Sequence, residues 1–139
     1  MWMTQAVVLL AEDEPDLRQL LAVTLQRENY IVLPACDAGE ALKIFHSHRN
    51  IDLLLTDVQL GSGMNGVELA GHILHEAPAT KALLISGFPD SEILAAERGF
   101  PFLSKPFLPN ALIESVRKVL GFKIPAQSET RPGQRRMSR

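Results

Sequence analysis

The chain has 139 residues, 46% of them hydrophobic and 22% charged, with a formal net charge of -2 and a single cysteine. That size suits one domain with a core of its own, and the composition excludes a disordered chain or one held by internal disulfides. No apolar stretch approaches the roughly 20 residues that span a bilayer, and Met1-Trp2-Met3-Thr4-Gln5 lacks the basic region of a secretion signal, so a cytoplasmic protein is expected.

Strand-like and helix-like patterns alternate from residue 6 to residue 120. Val7-Val8-Leu9-Leu10-Ala11 reads as a buried strand and runs into Glu12-Asp13-Glu14. Pro15 suits a first helical turn, and Leu17, Leu20, Leu21, Thr24 and Leu25 recur at helical spacing as the sheet-facing side. Glu14 and Asp16 read as charges that favour this helix N-terminus. Residues 31 to 36 form a second strand, in which Cys36 is expected as a small buried residue and not as a reactive thiol. Asp37 can cap a helix through His48, with Ala41, Leu42, Ile44 and Phe45 inward.

The apolar run Ile51-Asp52-Leu53-Leu54-Leu55-Thr56 predicts a third strand that ends at Thr56 or Asp57. The turn Gly61-Ser62-Gly63-Met64-Asn65-Gly66 leads into a third helix from Val67, stopped before Pro78. Lys81-Ala82-Leu83-Leu84-Ile85-Ser86 is a fourth strand. Ser91 to Arg98 allows only about two helical turns before Gly99-Phe100-Pro101 extends the chain. Phe102-Leu103-Ser104 makes a short fifth strand. The last helix starts after Pro109, buries a stripe of Ala111, Leu112, Val116, Val119 and Leu120, and ends at Gly121. The four histidines, His46, His48, His72 and His75, read as helix surface and not as metal ligands.

Charge is unevenly spread. From Lys123 onward there are five basic residues and one acid, Glu129, whereas the rest of the chain carries nine basic and fifteen acidic residues. An acidic body is a poor general binder of nucleic acid. The organisation expected is therefore a folded domain over residues 1–122 and a basic, disordered, solubilising tail over residues 123–139.

Strands alternating with helices imply βα units and a single five-stranded parallel sheet, a doubly wound flavodoxin-like (βα)5 arrangement in the α/β class. Such folds place their chemistry at the carboxyl ends of the strands. Four features fall there: Glu12-Asp13, Asp57, Ser86 and Lys105. Carboxylates packed together repel one another unless a hard divalent cation neutralises them, which points to Mg²⁺. A lysine adds positive charge and a serine adds a hydrogen-bond donor. The set suits a phosphoryl group held on a carboxylate, with Asp57 as the nucleophile, because phosphoryl transfer needs mainly positioning and charge neutralisation.

Leu10-Ala11-Glu12-Asp13-Glu14-Pro15, Leu55-Thr56-Asp57, Ser86-Gly87 and Lys105-Pro106-Phe107 together resemble the receiver domain of two-component response regulators, over residues 6 to 120. The resemblance implies that Asp57 is the phosphoacceptor for a histidine kinase or a histidine phosphotransfer protein. It implies that Glu12, Asp13 and Asp57, with the backbone carbonyl of Gln59, hold Mg²⁺. Lys105 would pair with phosphoryl oxygens, next to a cis bond to Pro106. Ser86 would be the switch hydroxyl, and Phe102 the aromatic residue that turns into the space it leaves. Leu60-Gly61 and the long turn to Gly66 are similar to receivers attached to hybrid sensor kinases and to solitary receivers.

The resemblance further implies signalling through protein contacts with a downstream protein target, as a monomer or weak dimer, without enzymatic turnover of an outside substrate. The segment after Gly121 is too short and polar for a helix-turn-helix, so no direct DNA binding is expected, and no membrane association. Two other readings compete. One is an interaction module that works without phosphorylation. The other is an aspartyl-phosphate hydrolase of the haloacid dehalogenase type, which wants a second aspartate where Gln59 stands.

Overall fold

The computed structural model describes residues 5–48 and 50–121. Five strands and five helices alternate: β1 (Val7–Ala11), α1 (Pro15–Gln26), β2 (Ile31–Ala35), α2 (Ala38–Ser47), β3 (Leu53–Asp57), α3 (Gly66–Glu76), β4 (Lys81–Ser86), α4 (Pro89–Glu97), β5 (Phe102–Ser104) and α5 (Pro109–Leu120). All strands are parallel, in the order β2-β1-β3-β4-β5. The expected doubly wound sheet is therefore the one observed. The N-terminal segment without a secretion signal and the expected basic tail over residues 123–139 lie outside the described residues.

The period of two along each strand divides the core. Leu9, Leu54 and Leu84 face one layer with Ala41 of α2, Leu69, Ala70 and Ile73 of α3, and Ala95 of α4. Val8, Leu10, Leu53, Leu55, Leu83 and Ile85 face the other, against Leu21 and Leu25 of α1 and Leu112, Val116 and Leu120 of α5. A strand covered on both faces must be apolar on both, which is why β1 and β3 read as continuous apolar runs and not as alternating ones.

Helix starts follow local chemistry. The Glu14 side chain accepts from the Leu17 amide at 2.8 Å, so Glu14 caps α1 directly, and Asp16 lies in the first turn. Asp37 accepts from the Glu40 amide at 2.7 Å. Asn65 and Glu68 cap α3 reciprocally, with bonds of 2.8 and 2.9 Å. At the end of α5, Gly121 takes φ 66°, a left-handed conformation that glycine adopts without strain.

Two burial expectations are corrected. Cys36 is exposed, because β2 ends at Ala35 and Cys36 belongs to the turn into α2, where its amide donates to Glu40 Oε1 at 2.7 Å. Hydrogen bonding to Glu40 pushes its thiol above the ordinary range. Leu20 is 57% exposed, since Leu21, Ala22 and Leu25 already fill the sheet-facing arc of α1. His46 and His72 lie on helix surfaces, both against the Glu76 carboxylate at 3.3 and 3.1 Å. No helix among the described residues is long and apolar enough to cross a membrane.

Candidate functional site

The strand order reverses between β1 and β3, and a crevice opens beyond the carboxyl ends of such strands. Ala11 is in register with Thr56, so the residues that follow, Glu12 and Asp57, emerge side by side. Glu12 is 1% exposed and Asp57 4%, which makes them the two deeply buried acids of the described chain. Ser86 closes β4 in register with Ser104, and Lys105 leaves β5 directly behind it, its amide bonded to the Ser86 carbonyl at 2.7 Å. Four strands thus deliver one side chain each to a single edge.

Lys105 Nζ donates to Asp57 Oδ2 at 2.6 Å, across 48 residues of sequence. The Gln59 amide donates to Asp57 Oδ1 at 3.0 Å, so both oxygens of Asp57 are oriented. Burial alone would lower the Lys105 pKa, but the hydrogen bond and charge of Asp57 outweigh it and hold the ammonium above its ordinary value. The peptide bond from Lys105 to Pro106 is cis, as expected.

Glu12 is the strained member. Burial pushes its carboxyl up to about 7; the Glu14 amide, at 3.1 Å from Oε2, pulls the other way, and the charge of Asp57 adds to the rise. Among the described residues its Oε1 is buried with no hydrogen-bond partner. A buried carboxylate oxygen left unpaired costs about 1–3 kcal/mol or more, so this atom calls for a proton or a cation.

The remaining predicted residues are placed differently. Asp13 sits exposed at the rim, with Oδ2 3.6 Å from where a Cβ on Gly61 would stand, so the loop after β3 passes close beside it. Ser86 is 1% exposed, but its hydroxyl donates to the Phe88 carbonyl at 2.8 Å and accepts from the Phe88 amide at 3.3 Å, tying up the start of α4. Phe102 is 38% exposed and faces outward. Among the described residues no group of three or more His, Cys, Asp or Glu side chains is gathered so as to hold a metal ion. Glu12 and Asp57 are instead balanced by one lysine, with Asp13 outside.

Three supporting residues escape sequence reasoning. Arg18 Nη1 donates to the Glu12 carbonyl at 2.8 Å, bracing β1 against α1. Ser91, buried in α4, accepts from Gln59 Nε2 at 3.4 Å. Gly66 packs its backbone on that of Asp57 and Val58, and a Cβ there would collide with the Asp57 carbonyl oxygen. Only Gly66 had a signal, as the last glycine of the turn after β3.

Residues 8–117 match the family described as the response regulator receiver domain, and the chain belongs to that family. It is 33% identical over 130 residues to the response regulator protein PilR of Pseudomonas aeruginosa, covering 91% of this chain and 29% of PilR. It is 34% identical over 119 residues to the response regulator receiver protein CpdR of Brucella abortus, covering 81% of this chain and 95% of CpdR. The crystal structure of the response regulator protein TrrA from Thermotoga maritima, in complex with Mg(2+)-BeF, superposes with a TM-score of 0.75 at 31% identity, over 83% of this chain and 99% of that one. The chain spans between 26% and 29% of the length of the first curated relatives it matches, two of which are described as transcriptional regulatory proteins.

Proposed function

We propose that Asp57 accepts a phosphoryl group from a histidine kinase or a histidine phosphotransfer protein, and that the chain passes the signal to a downstream protein by contact. The observation that carries this reading is the 2.6 Å pair between Lys105 Nζ and Asp57 Oδ2 at a buried strand end, beside a second buried carboxylate with an unpaired oxygen. Nothing in an ordinary core needs that arrangement.

In the proposed step an Asp57 oxygen attacks phosphorus, the bond from phosphorus to the donor imidazole nitrogen breaks, and its electron pair leaves on that nitrogen. Lys105 then follows the charge from the carboxylate to the phosphoryl oxygens. The Ser86 hydroxyl leaves the Phe88 carbonyl to donate to a phosphoryl oxygen, and Phe102 turns into the space it vacates. The face formed by α4 and α5 changes, and a partner that prefers one face shifts the population.

The residues present fit a hard divalent cation, since Glu12 Oε1 is a buried carboxyl oxygen without a hydrogen-bond partner among the described residues. Glu12, Asp13, Asp57 and the Gln59 carbonyl would hold Mg²⁺, which when bound would neutralise charge on the phosphoryl oxygens. The Mg(2+)-BeF complex of TrrA supports this assignment. The chain is proposed to be a phosphoacceptor and not an enzyme acting on outside substrates.

Treatment with acetyl phosphate and Mg²⁺, read by intact mass, tests the proposal. The parent chain gains one phosphoryl group, while Asp57→Asn and Asp13→Ala do not. Equal labelling of parent and Asp57→Asn would remove Asp57 from the mechanism, and steady hydrolysis of phosphomonoesters would restore the enzyme reading. A parent chain that neither labels nor binds beryllofluoride would favour the phosphorylation-independent module.

A further inference from the structure

A second concavity lies at the opposite, amino edge of the sheet, among the starts of β4 and β5, the ends of α3 and α4, and the last turns of α5. Its volume is about 710 Å³, within the range of small-molecule sites, roughly 300–1,000 Å³. Three cations from three separate elements line it: Lys81 at the first position of β4, Arg98 at the end of α4 and Lys118 near the end of α5. Among the described residues no aspartate or glutamate does. In a chain with nine basic and fifteen acidic residues before position 123, a third of those cations thus converge on one acid-free cavity.

None of the three side chains makes an ion pair or side-chain hydrogen bond among the described residues, whereas Lys105 and Arg117 each hold a carboxylate. Arg98 is not simply extended into water. Its Nη2 lies 2.9 Å from where a Cβ on Gly71 would stand, so the guanidinium is laid on the backbone of α3, where glycine leaves room. Leu74, Phe100 and Phe102 supply apolar wall to the same cavity.

The bland account is that cations at helix C-termini offset the helix dipole. It covers Arg98 and Lys118. It does not cover Lys81, which begins a strand, nor the absence of acids, nor the aromatic wall beside the charges.

We propose that this cavity binds a small amphipathic anion, a flat apolar body carrying a phosphate or carboxylate group. The body would lie against Phe100 and Phe102 and the anionic group would meet Lys81, Arg98 and Lys118. Binding there involves none of Glu12, Asp13, Asp57, Ser86 and Lys105, which sit at the other edge of the sheet, but it shares Phe102 with the switch proposed above.

The test is an amide chemical-shift titration of the full chain at low ionic strength in EDTA, with phenyl phosphate, benzoate, inorganic phosphate and benzyl alcohol as probes. Phenyl phosphate or benzoate should saturate, at least about tenfold more tightly than either inorganic phosphate or benzyl alcohol, because charge and apolar contact must act together. The two anionic probes distinguish a phosphate head from a carboxylate head. Shifts should centre on Leu74, Lys81, Phe100 and Phe102, and Arg98→Gln or Lys118→Gln should each weaken binding about fivefold or more while the thermal midpoint holds. Should either variant fail to fold, Lys81→Gln gives the same reading. Absence of saturation, equal binding of inorganic phosphate and phenyl phosphate, or shifts centred on Asp57 and Lys105 would overturn the proposal.

Discussion

The two sides of the sheet are built to different standards. Around β2, β1 and β3, helices α1, α2 and α3 all begin on side-chain caps, from Glu14, Asp37 and Asn65, and every residue of β3 is buried. On the β4 to β5 side, α4 and α5 begin at Phe88 and Leu108 with no side-chain cap and a proline in the first turn, and β5 has only three residues, none buried. Phe88, Ile93, Leu94, Phe102 and Leu108 are all exposed on that side, against Leu20 and Ile31 on the other. The difference matters because the site straddles it. Glu12 and Asp57 stand on the deep side, fixed by packing, while Lys105 reaches in from the shallow side, where the Ser86 hydroxyl is turned to the start of α4. A charge change at Asp57 therefore acts on the half of the molecule that costs least to move.

Gly66→Ala should have the largest effect and tests whether the deep side is as rigid as its packing implies. The added methyl would meet the Asp57 carbonyl and lie 2.9 Å from Val58 Cα, both backbone atoms that no rotamer change can move aside. The expected loss is at least about 4 kcal/mol, at the exceptional end for one residue. Gly99→Ala, on the shallow side at φ 79° with nothing near the added methyl, should cost only about 1 kcal/mol from backbone strain. Urea midpoints decide between them, and similar losses would erase the contrast. Next in size, Leu54→Ala should cost about 3 kcal/mol by opening a cavity among fully packed neighbours. Leu94→Ala, already 37% exposed, should cost less than about 1 kcal/mol.

What was legible in the sequence divides along the same line. β1, β3 and β4 are apolar runs closed by turn signals, so their ends, and with them Glu12, Asp57 and Ser86, could be placed on one edge without coordinates. Cys36 was misplaced because a strand boundary one residue early turns a buried position into a turn. Leu20 was misplaced because helical spacing gives a stripe but not which edge of it meets the sheet. Periodicity carries no information on the direction of the Ser86 hydroxyl, which depends on the start of α4. Nor does it show the bracing by Arg18 or the contact between Gln59 and Ser91, which are tertiary accidents of where α1 and α4 dock. Asp13 and Phe102 were correctly located in the fold, yet one stands at the rim and the other faces outward, which spacing alone does not distinguish.

Glu12 gives an effect of intermediate size, visible in metal-free protein. Its folded-state pKa is raised from 4.5 to about 7, so between those values the folded chain keeps a proton that the unfolded chain has released. Stability from this group is therefore present at pH 5 and lost as pH rises through 7. The change should be on the order of 2 kcal/mol, allowing for partial screening of a carboxyl at the edge of a crevice. Urea midpoints in EDTA at pH 5 and pH 8 measure it, and Glu12→Gln should flatten the slope. Mg²⁺ should recover stability at pH 8 in the parent and not in the variant. An unchanged slope in Glu12→Gln would assign the effect elsewhere.

The smallest expected effects set a cap on the deep side against a tie on the shallow side. Asn65→Ala removes one half of the reciprocal cap on α3 and should cost about 1 kcal/mol globally, because α3 packs on the central strand and cannot loosen alone. Ser104→Ala removes a hydrogen bond of 2.8 Å to Glu92 Oε2, one of the few ties between β5 and α4. Both partners lie near the surface, so the global cost should stay below about 0.5 kcal/mol. The local consequence should be larger than the global one. With Ser104 gone, α4 keeps the Ser86 bond to Phe88 and the longer contact from Gln59 to Ser91. Amide exchange in residues 92–97 should then quicken severalfold while that of β3 is unmoved, as expected when one weakly tied element opens by itself. Exchange that quickens equally in β3 and α4 would mean that the two sides unfold as one unit, and the division of labour drawn from their caps and burial would have to be given up.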